Sequence, residues 1–351
     1  MRIRAILPLA LAILAAGLAL AAATHTLDEL VRAVRDAVER HESDGALARV
    51  LHRVELDRRL DNHTAEELES QAPGPMSIAE LERLREATRD KPLPTVLPKF
   101  ASPPEPTPDE QRGVLEAARD KALAYTAGLP DFICTETIRR FELPAGKRGW
   151  KLNDTLAVEL TYFGGHENYR LTARNGRAPV LTYEQEGGPW SKGEFGSMLL
   201  DVFSPATRTE FKWSHWTTLR KRPTCVFSFR IDVGNSRYRL VFDRADWRPA
   251  FVTVGEHGLV YIDRQTREVM GLESEADSIP EGFPIAGATR TLDYGPAEVG
   301  GRDFLLPRHG ELRLVVRDSR LVQRNAMDFS SYHKFTGESS ISFGDVEVEK
   351  R

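Results

Sequence analysis

Cys225-Val226-Phe227-Ser228-Phe229-Arg230-Ile231-Asp232 decides the fold, because its side chains alternate. On a strand, Cys225, Phe227, Phe229 and Ile231 face one way, while Ser228, Arg230 and Asp232 face the other. The same period of two runs from Phe132 onward. It marks strands at 133–143, 151–163, 167–174, 208–218, 224–233, 236–243, 249–263, 267–277, 287–298, 302–318, 322–335 and 339–347. Short turns separate them at Gly164-Gly165, Gly234-Asn235, Asp263-Arg264-Gln265-Thr266 and Gly300-Gly301. Such connections leave no room for crossover helices. The expectation is a large, mainly antiparallel sheet, curved or half-barrel in form.

One helix interrupts these strands. Gly193 to Phe203 places Phe195, Met198, Leu199, Val202 and Phe203 at i, i+3, i+4, i+7 and i+8. Trp190, Phe211, Trp213 and Trp216 gather around it in sequence. Read as packing, the helix closes one side of the sheet's core. Read as function, it covers an apolar cavity for an acyl chain or apolar segment. Phe195, Met198, Leu199, Val202, Phe203 and Trp213 are then the candidate lining, with Met198 the adaptable member.

Upstream of the sheet the period is 3.6. Residues 24–90 form a small helical module, with capping boxes at Thr26-x-x-Glu29, Thr64-x-x-Glu67 and Ser77-x-x-Glu80. Leu27, Leu30, Val31, Val34 and Val38 make one apolar face, and Leu47, Val50, Leu51 and Val54 the next. Ile78, Leu81 and Leu84 follow after Pro73-Gly74-Pro75. Residues 91–109 carry seven prolines, which resist helix and sheet, and read as a linker. A helix capped at Thr107-Pro108-Asp109-Glu110 then leads into the sheet, so 110–351 is the β domain. The fold class expected is α+β.

The first residues give an address. Met1-Arg2-Ile3-Arg4 is basic, Ala5 to Leu20 is apolar and Ala21-Ala22-Ala23 offers a small-residue cleavage site. This pattern reads as a signal peptide at 1–23, placing the chain from Thr24 in the periplasm or outside the cell. The alternative is retention as an anchor, since the apolar run is nearly long enough to span a bilayer.

A net charge of −4 gives no general attraction to nucleic acid. Residues 24–90 hold ten arginines against sixteen Asp/Glu, so Pro73-Gly74-Pro75 is not read as a DNA-backbone turn. Cys134 and Cys225 both lie in strand sequence. An even count in an exported chain favours a disulfide, closing about 90 residues for roughly 4–5 kcal/mol. Their spacing, and that of the nine histidines, gives no metal site. No cofactor motif or catalytic residue is assigned. Gly196-Ser197-Met198 lacks the glycines of a nucleophile elbow, and Glu273 with Glu275 reads as a solvated strand face.

Leu129-Pro130-Asp131-Phe132-Ile133-Cys134-Thr135-Glu136-Thr137, Gly193-Glu194-Phe195-Gly196-Ser197-Met198-Leu199, Trp216-Thr217-Thr218-Leu219-Arg220, Gly258-Leu259-Val260-Tyr261-Ile262-Asp263 and Ser331-Tyr332-His333-Lys334-Phe335 resemble segments of a group of exported bacterial proteins of unassigned function. In architecture alone, the long meander with an embedded helix is similar to periplasmic lipoprotein-localisation carriers. That resemblance implies a half-open barrel that holds acyl chains. The leading expectation is an exported, non-enzymatic, carrier-like protein for an apolar ligand or acylated partner. A structural or assembly protein of the cell envelope, docking a partner through its helical module, comes second. An envelope hydrolase comes third. No nucleic-acid partner is expected, and membrane association only through a partner or a retained leader.

Overall fold

The computed structural model describes residues 24–89, 91–146, 149–186, 197–242 and 250–335. The proposed leader and the candidate strand at 339–347 lie outside them. Contacts divide the chain into two units. One runs to Glu105 and takes in His215–Thr224; the other comprises Pro106–Ser214 and Cys225 onward.

The first unit holds α1 (Leu27–Glu39), α2 (Asp44–His52), α3 (Asn62–Gln71) and α4 (Pro75–Thr88). A short parallel pair, β1 (Thr24–His25) with β2 (Glu55–Leu56), ties its start to the chain after α2. The α1 cap is the expected box: Glu29 N–H donates to Thr26 Oγ1 at 3.3 Å and Thr26 N–H to Glu29 Oε2 at 2.9 Å. Two other caps differ from expectation. Asp61, not Thr64, caps α3, accepting from the Thr64 N–H at 3.0 Å. Asp44 of α2 reaches across to accept from the Met76 and Ser77 amides of α4, which replaces the expected Ser77 box. That approach needs Gly74, where a Cβ would lie 2.7 Å from the Asp44 carboxylate. Leu30, Val34, Leu47, Leu51, Leu56, Leu60, Leu68 and Leu81 form the core, with Phe100 packed against it. Val38 and Val50 are exposed while Ala37 and Ala48 are buried, so each apolar face differs from expectation at one position.

The second unit opens with α5 (Pro108–Gly128), capped by the Thr107/Glu110 box. Its strands are β3 (Phe132–Leu143), β4 (Lys151–Phe163), β5 (His166–Arg174), β6 (Glu210–Leu219), β7 (Arg222–Ile231), β8 (Arg239–Phe242), β9 (Ala250–Thr253), β10 (Gly255–Asp263), β11 (Val269–Asp277), β12 (Ile285–Val299), β13 (Arg302–Val316) and β14 (Val322–Lys334). α6 spans Ser197–Phe203. Ten strands make one open, curved sheet in the order β5-β4-β3-β14-β13-β12-β11-β10-β7-β6. The expected run 249–263 is broken at Val254, whose N–H donates to Tyr238 O. β8 and β9 therefore form a separate hairpin.

Most neighbours follow the chain, as in a meander, but β14 pairs with β3. Cross-strand register fixes the inner face: Cys134 lies opposite Leu160, Glu136 opposite Val158, and Ile138 opposite both Leu156 and Met327. Every second residue of β4 from Asp154 to Tyr162 is buried on that face. Gly164-Gly165 and Gly300-Gly301 turn two hairpins with positive φ, as hairpin twist requires. At the far end of β3 and β4, Asp154 takes a bidentate bond from Arg140 at 2.6 Å and an ion pair from Arg174 at 2.9 Å. These guanidinium groups outweigh the penalty of burial and hold the Asp154 carboxyl below its usual range.

Gly258 is the tightest point of the sheet. A Cβ there would lie 1.8 Å from the carbonyl oxygen of Glu273 on β11, whereas at Gly287 it would meet Val315 at an ordinary 3.6 Å. Gly258→Ala is expected to cost about 1–3 kcal/mol or more in urea unfolding, and Gly287→Ala to change stability far less. Equal effects at the two positions would contradict this register.

Candidate functional site

α6 brings Met198, Leu199, Val202 and Phe203 together, all buried. Phe195 and Trp190 lie outside the described residues. Phe203 stacks on Phe211 of β6, with ring centroids 5.6 Å apart. Trp213, two residues along the same strand and half-buried, stands edge-on to Phe227 of β7 at 5.3 Å. Five of the six candidate lining residues are thus placed on α6 and β6.

α6 also carries Asp201, a residue the sequence reading passed over. It is only 9% exposed, although it shares a short helix with five apolar side chains. Close to it, three strands contribute a polar cluster. Ser274 of β11 lies directly opposite Arg290 of β12, and Glu256 comes from β10. Arg290 donates from Nη2 to Glu256 Oε2 at 2.8 Å and from Nε to Ser274 Oγ at 3.1 Å. Ser274 Oγ donates to the same Glu256 oxygen at 2.8 Å. The guanidinium sits 4.0 Å from the ring centre of Tyr238, a cation–π contact.

Glu256 is fully buried, yet its Oε1 has no hydrogen-bond partner among the described residues, and neither has the buried Tyr238 hydroxyl. Burial acts against the Arg290 charge, but Glu256, Tyr238 and Asp201 outweigh it and raise its pKa. Asp201 is pushed up to about 6 by burial; Arg290 opposes that rise and Glu256 adds to it. Burial likewise pushes the Tyr238 hydroxyl up.

The cysteines correct an expectation. Cys134 and Cys225 are both buried and are not joined in a disulfide. They lie on β3 and β7, with five strands of the sheet between them. A bridge needs Cα atoms within roughly 7 Å. Six steps of roughly 4.8 Å place these strands too far apart for the chain-entropy argument to apply. Burial pushes the Cys225 thiol up, which keeps it unreactive.

The first unit holds a second polar group. His215 Nε2 lies 3.1 Å from Glu66 Oε2, and the His63 ring is 4.3 Å from that of His215. Burial, with His215 beside it, lowers the His63 pKa. Far apart in sequence, these two histidines are brought together by the fold. Among the described residues, no three His, Cys, Asp or Glu side chains are arranged to hold a metal ion. No helix there is long and apolar enough to cross a membrane.

No protein family model matches the chain, and no curated protein matches it in sequence. Three solved structures are similar in outline, each covering 64% of this chain. A domain named as an outer membrane lipoprotein-sorting protein, from Vibrio parahaemolyticus, aligns over 94% of its length at 13% identity and TM-score 0.32. A DUF1329 family protein from Desulfovibrio piger aligns over 95% at 7% identity and TM-score 0.31. The Mycobacterium tuberculosis lipoprotein LppX aligns over 97% at 8% identity and TM-score 0.24. At these values no residue role passes to this chain.

The raised Asp201 pKa has a signed consequence. The folded value lies above the ordinary 3.8, so the folded state holds the proton more tightly than the unfolded chain. The penalty is complete above about pH 6 and disappears below about pH 4. Asp201→Asn should therefore stabilise the protein at pH 8, by up to ~3 kcal/mol, and by little at pH 4. Urea unfolding at both pH values checks this; a gain independent of pH would contradict the burial of the charge.

Proposed function

We propose that this protein binds an apolar ligand, or the acyl chain of a partner, between the inner face of its sheet and helices α5 and α6. The observation that carries this reading is a mismatch of widths. Ten strands at roughly 4.8 Å spacing span roughly 43 Å, while two helices side by side cover roughly 20 Å. α5 and α6 pack on each other, and Tyr125 of α5 meets Tyr294 of β12 edge to face at 6.2 Å. Yet apolar residues are buried across the sheet, from Leu156, Val158 and Leu160 on β4 to Val260 on β10 and Phe227 on β7. An open sheet with so much inward apolar surface and so few covering helices has to curl about them. The space between the layers is then a natural place for hydrocarbon.

The signal-like start of the sequence supports a place in the cell envelope. In this reading residues 24–90 are an accessory module, joined through the proline-rich stretch 91–109.

The test is titration of the full chain with the neutral dye N-phenyl-1-naphthylamine. Saturable fluorescence enhancement at one site is expected, with displacement by long-chain amphiphiles. Leu199→Ala and Phe203→Ala should weaken dye binding, with a stability loss smaller than the about 2–5 kcal/mol of a packed core site. Absence of saturable binding, together with the full core penalty in both variants, would make α6 an ordinary core helix.

A further inference from the structure

Two buried side chains near Asp201 of α6, Glu256 and Tyr238, each keep a polar atom that has no hydrogen-bond partner among the described residues. Glu256 uses one carboxylate oxygen for Arg290 and Ser274 and leaves the other buried without a partner. The Tyr238 hydroxyl is equally buried and has no hydrogen-bond partner among the described residues, in a residue 7% exposed whose ring lies under the Arg290 guanidinium. Asp201 on α6 lies near enough to feel the charges of Arg290 and Glu256. Buried polar atoms are nearly always paired in folded proteins, and each exception calls for a missing partner.

The chemistry of that partner follows from the charges. Two carboxylates face one guanidinium, so the cluster carries an excess negative charge when Asp201 is ionised. Arg237 also acts on Asp201, but it is exposed and screened by solvent. Glu256 Oε1 is an acceptor with no partner among the described residues and so needs a donor. An incoming carboxylate or phosphate would meet two like charges and find its natural counterion, Arg290, already held by Glu256. A primary ammonium supplies three donors and the missing positive charge.

Resting on the apolar-ligand reading above, we propose that Glu256, Asp201 and Tyr238 form a subsite for the ammonium head of an amphipathic ligand, whose hydrocarbon part lies along Met198, Leu199 and Val202 of α6. Arg290 is a positioning residue: it fixes one Glu256 oxygen and leaves the other turned to the head. Met198 precedes Asp201 on α6 by three residues, nearly one helical turn, and Val202 adjoins it, so head and chain sites meet on one helix.

The experiment displaces N-phenyl-1-naphthylamine from the full-length protein at pH 7.5 with dodecylammonium, dodecanol or dodecanoate, each below its micellar concentration. Dodecylammonium is expected to displace the dye at a concentration at least about tenfold lower than dodecanoate, ~1.4 kcal/mol, with dodecanol between them. Asp201→Asn, a variant expected to fold well because it removes a buried charge, should erase most of that preference. Glu256→Gln should do the same where it folds. Equal displacement by the three amphiphiles, a preference for dodecanoate, or an ammonium preference untouched by Asp201→Asn would overturn the subsite but leave the apolar-ligand reading standing. If neither the dye nor any of the three amphiphiles binds, by fluorescence or by calorimetry, both readings fall.

Discussion

The antiparallel pairing of β3 with β14 holds the sheet together. Phe132 to Leu143 and Val322 to Lys334 are nearly two hundred residues apart in sequence, yet they match residue for residue, apart from one irregularity between Ser330 and His333. Arg139 and Asp328 add an ion pair across the seam at 2.7 Å. Without this ladder, β3–β5 and the seven strands from β14 through β10 to β7 and β6 would be two smaller sheets, each with an additional unpaired edge. With it, Cys134, Glu136 and Ile138 join Met327 and Phe329 on one continuous inner face. Closing so distant a pair is entropically slow, which makes it a late event in folding.

That constraint also creates the electrostatic problem at the site. Once ten strands share one inner face, the inward register of β10, β11 and β12 carries Glu256, Ser274 and Arg290 into an apolar layer. A buried ion pair gains little net stability over a hydrophobic substitute, because desolvation offsets the attraction. Burying Asp201 beside it is an added penalty. A sequence serving only the core would place leucine or alanine at these positions; the retained charges and unpartnered atoms are intelligible if a polar ligand group completes them.

Local periodicity made much of this fold legible. The alternation in 151–163 marks β4 to the residue, and the Thr26 and Thr107 boxes mark two true helix starts. What failed depended on distant residues. Thr64 and Ser77 have the right spacing for caps, but Asp61 and Asp44 occupy those roles, the latter from another helix. Nothing local tells Cys134 and Cys225 that five strands stand between them. The α6 apolar face was visible at 3.6 spacing. Asp201 was not, because a lone acid in a short helix looks solvated until its neighbours are known. Glu256, Ser274 and Arg290 could be suspected only as polar residues alternating with Val260, Leu272 and Leu292. Their convergence needs the β10–β12 register.

The most direct measurement is native mass spectrometry of the full chain, purified without detergent from the envelope fraction of a bacterium that produces it. The account predicts a non-covalent adduct of lipid-like mass that is lost on denaturation and restored by adding a long-chain amine. Protein at its bare mass that takes up no amphiphile on addition would contradict the claim that this sheet and its two helices enclose a binding site.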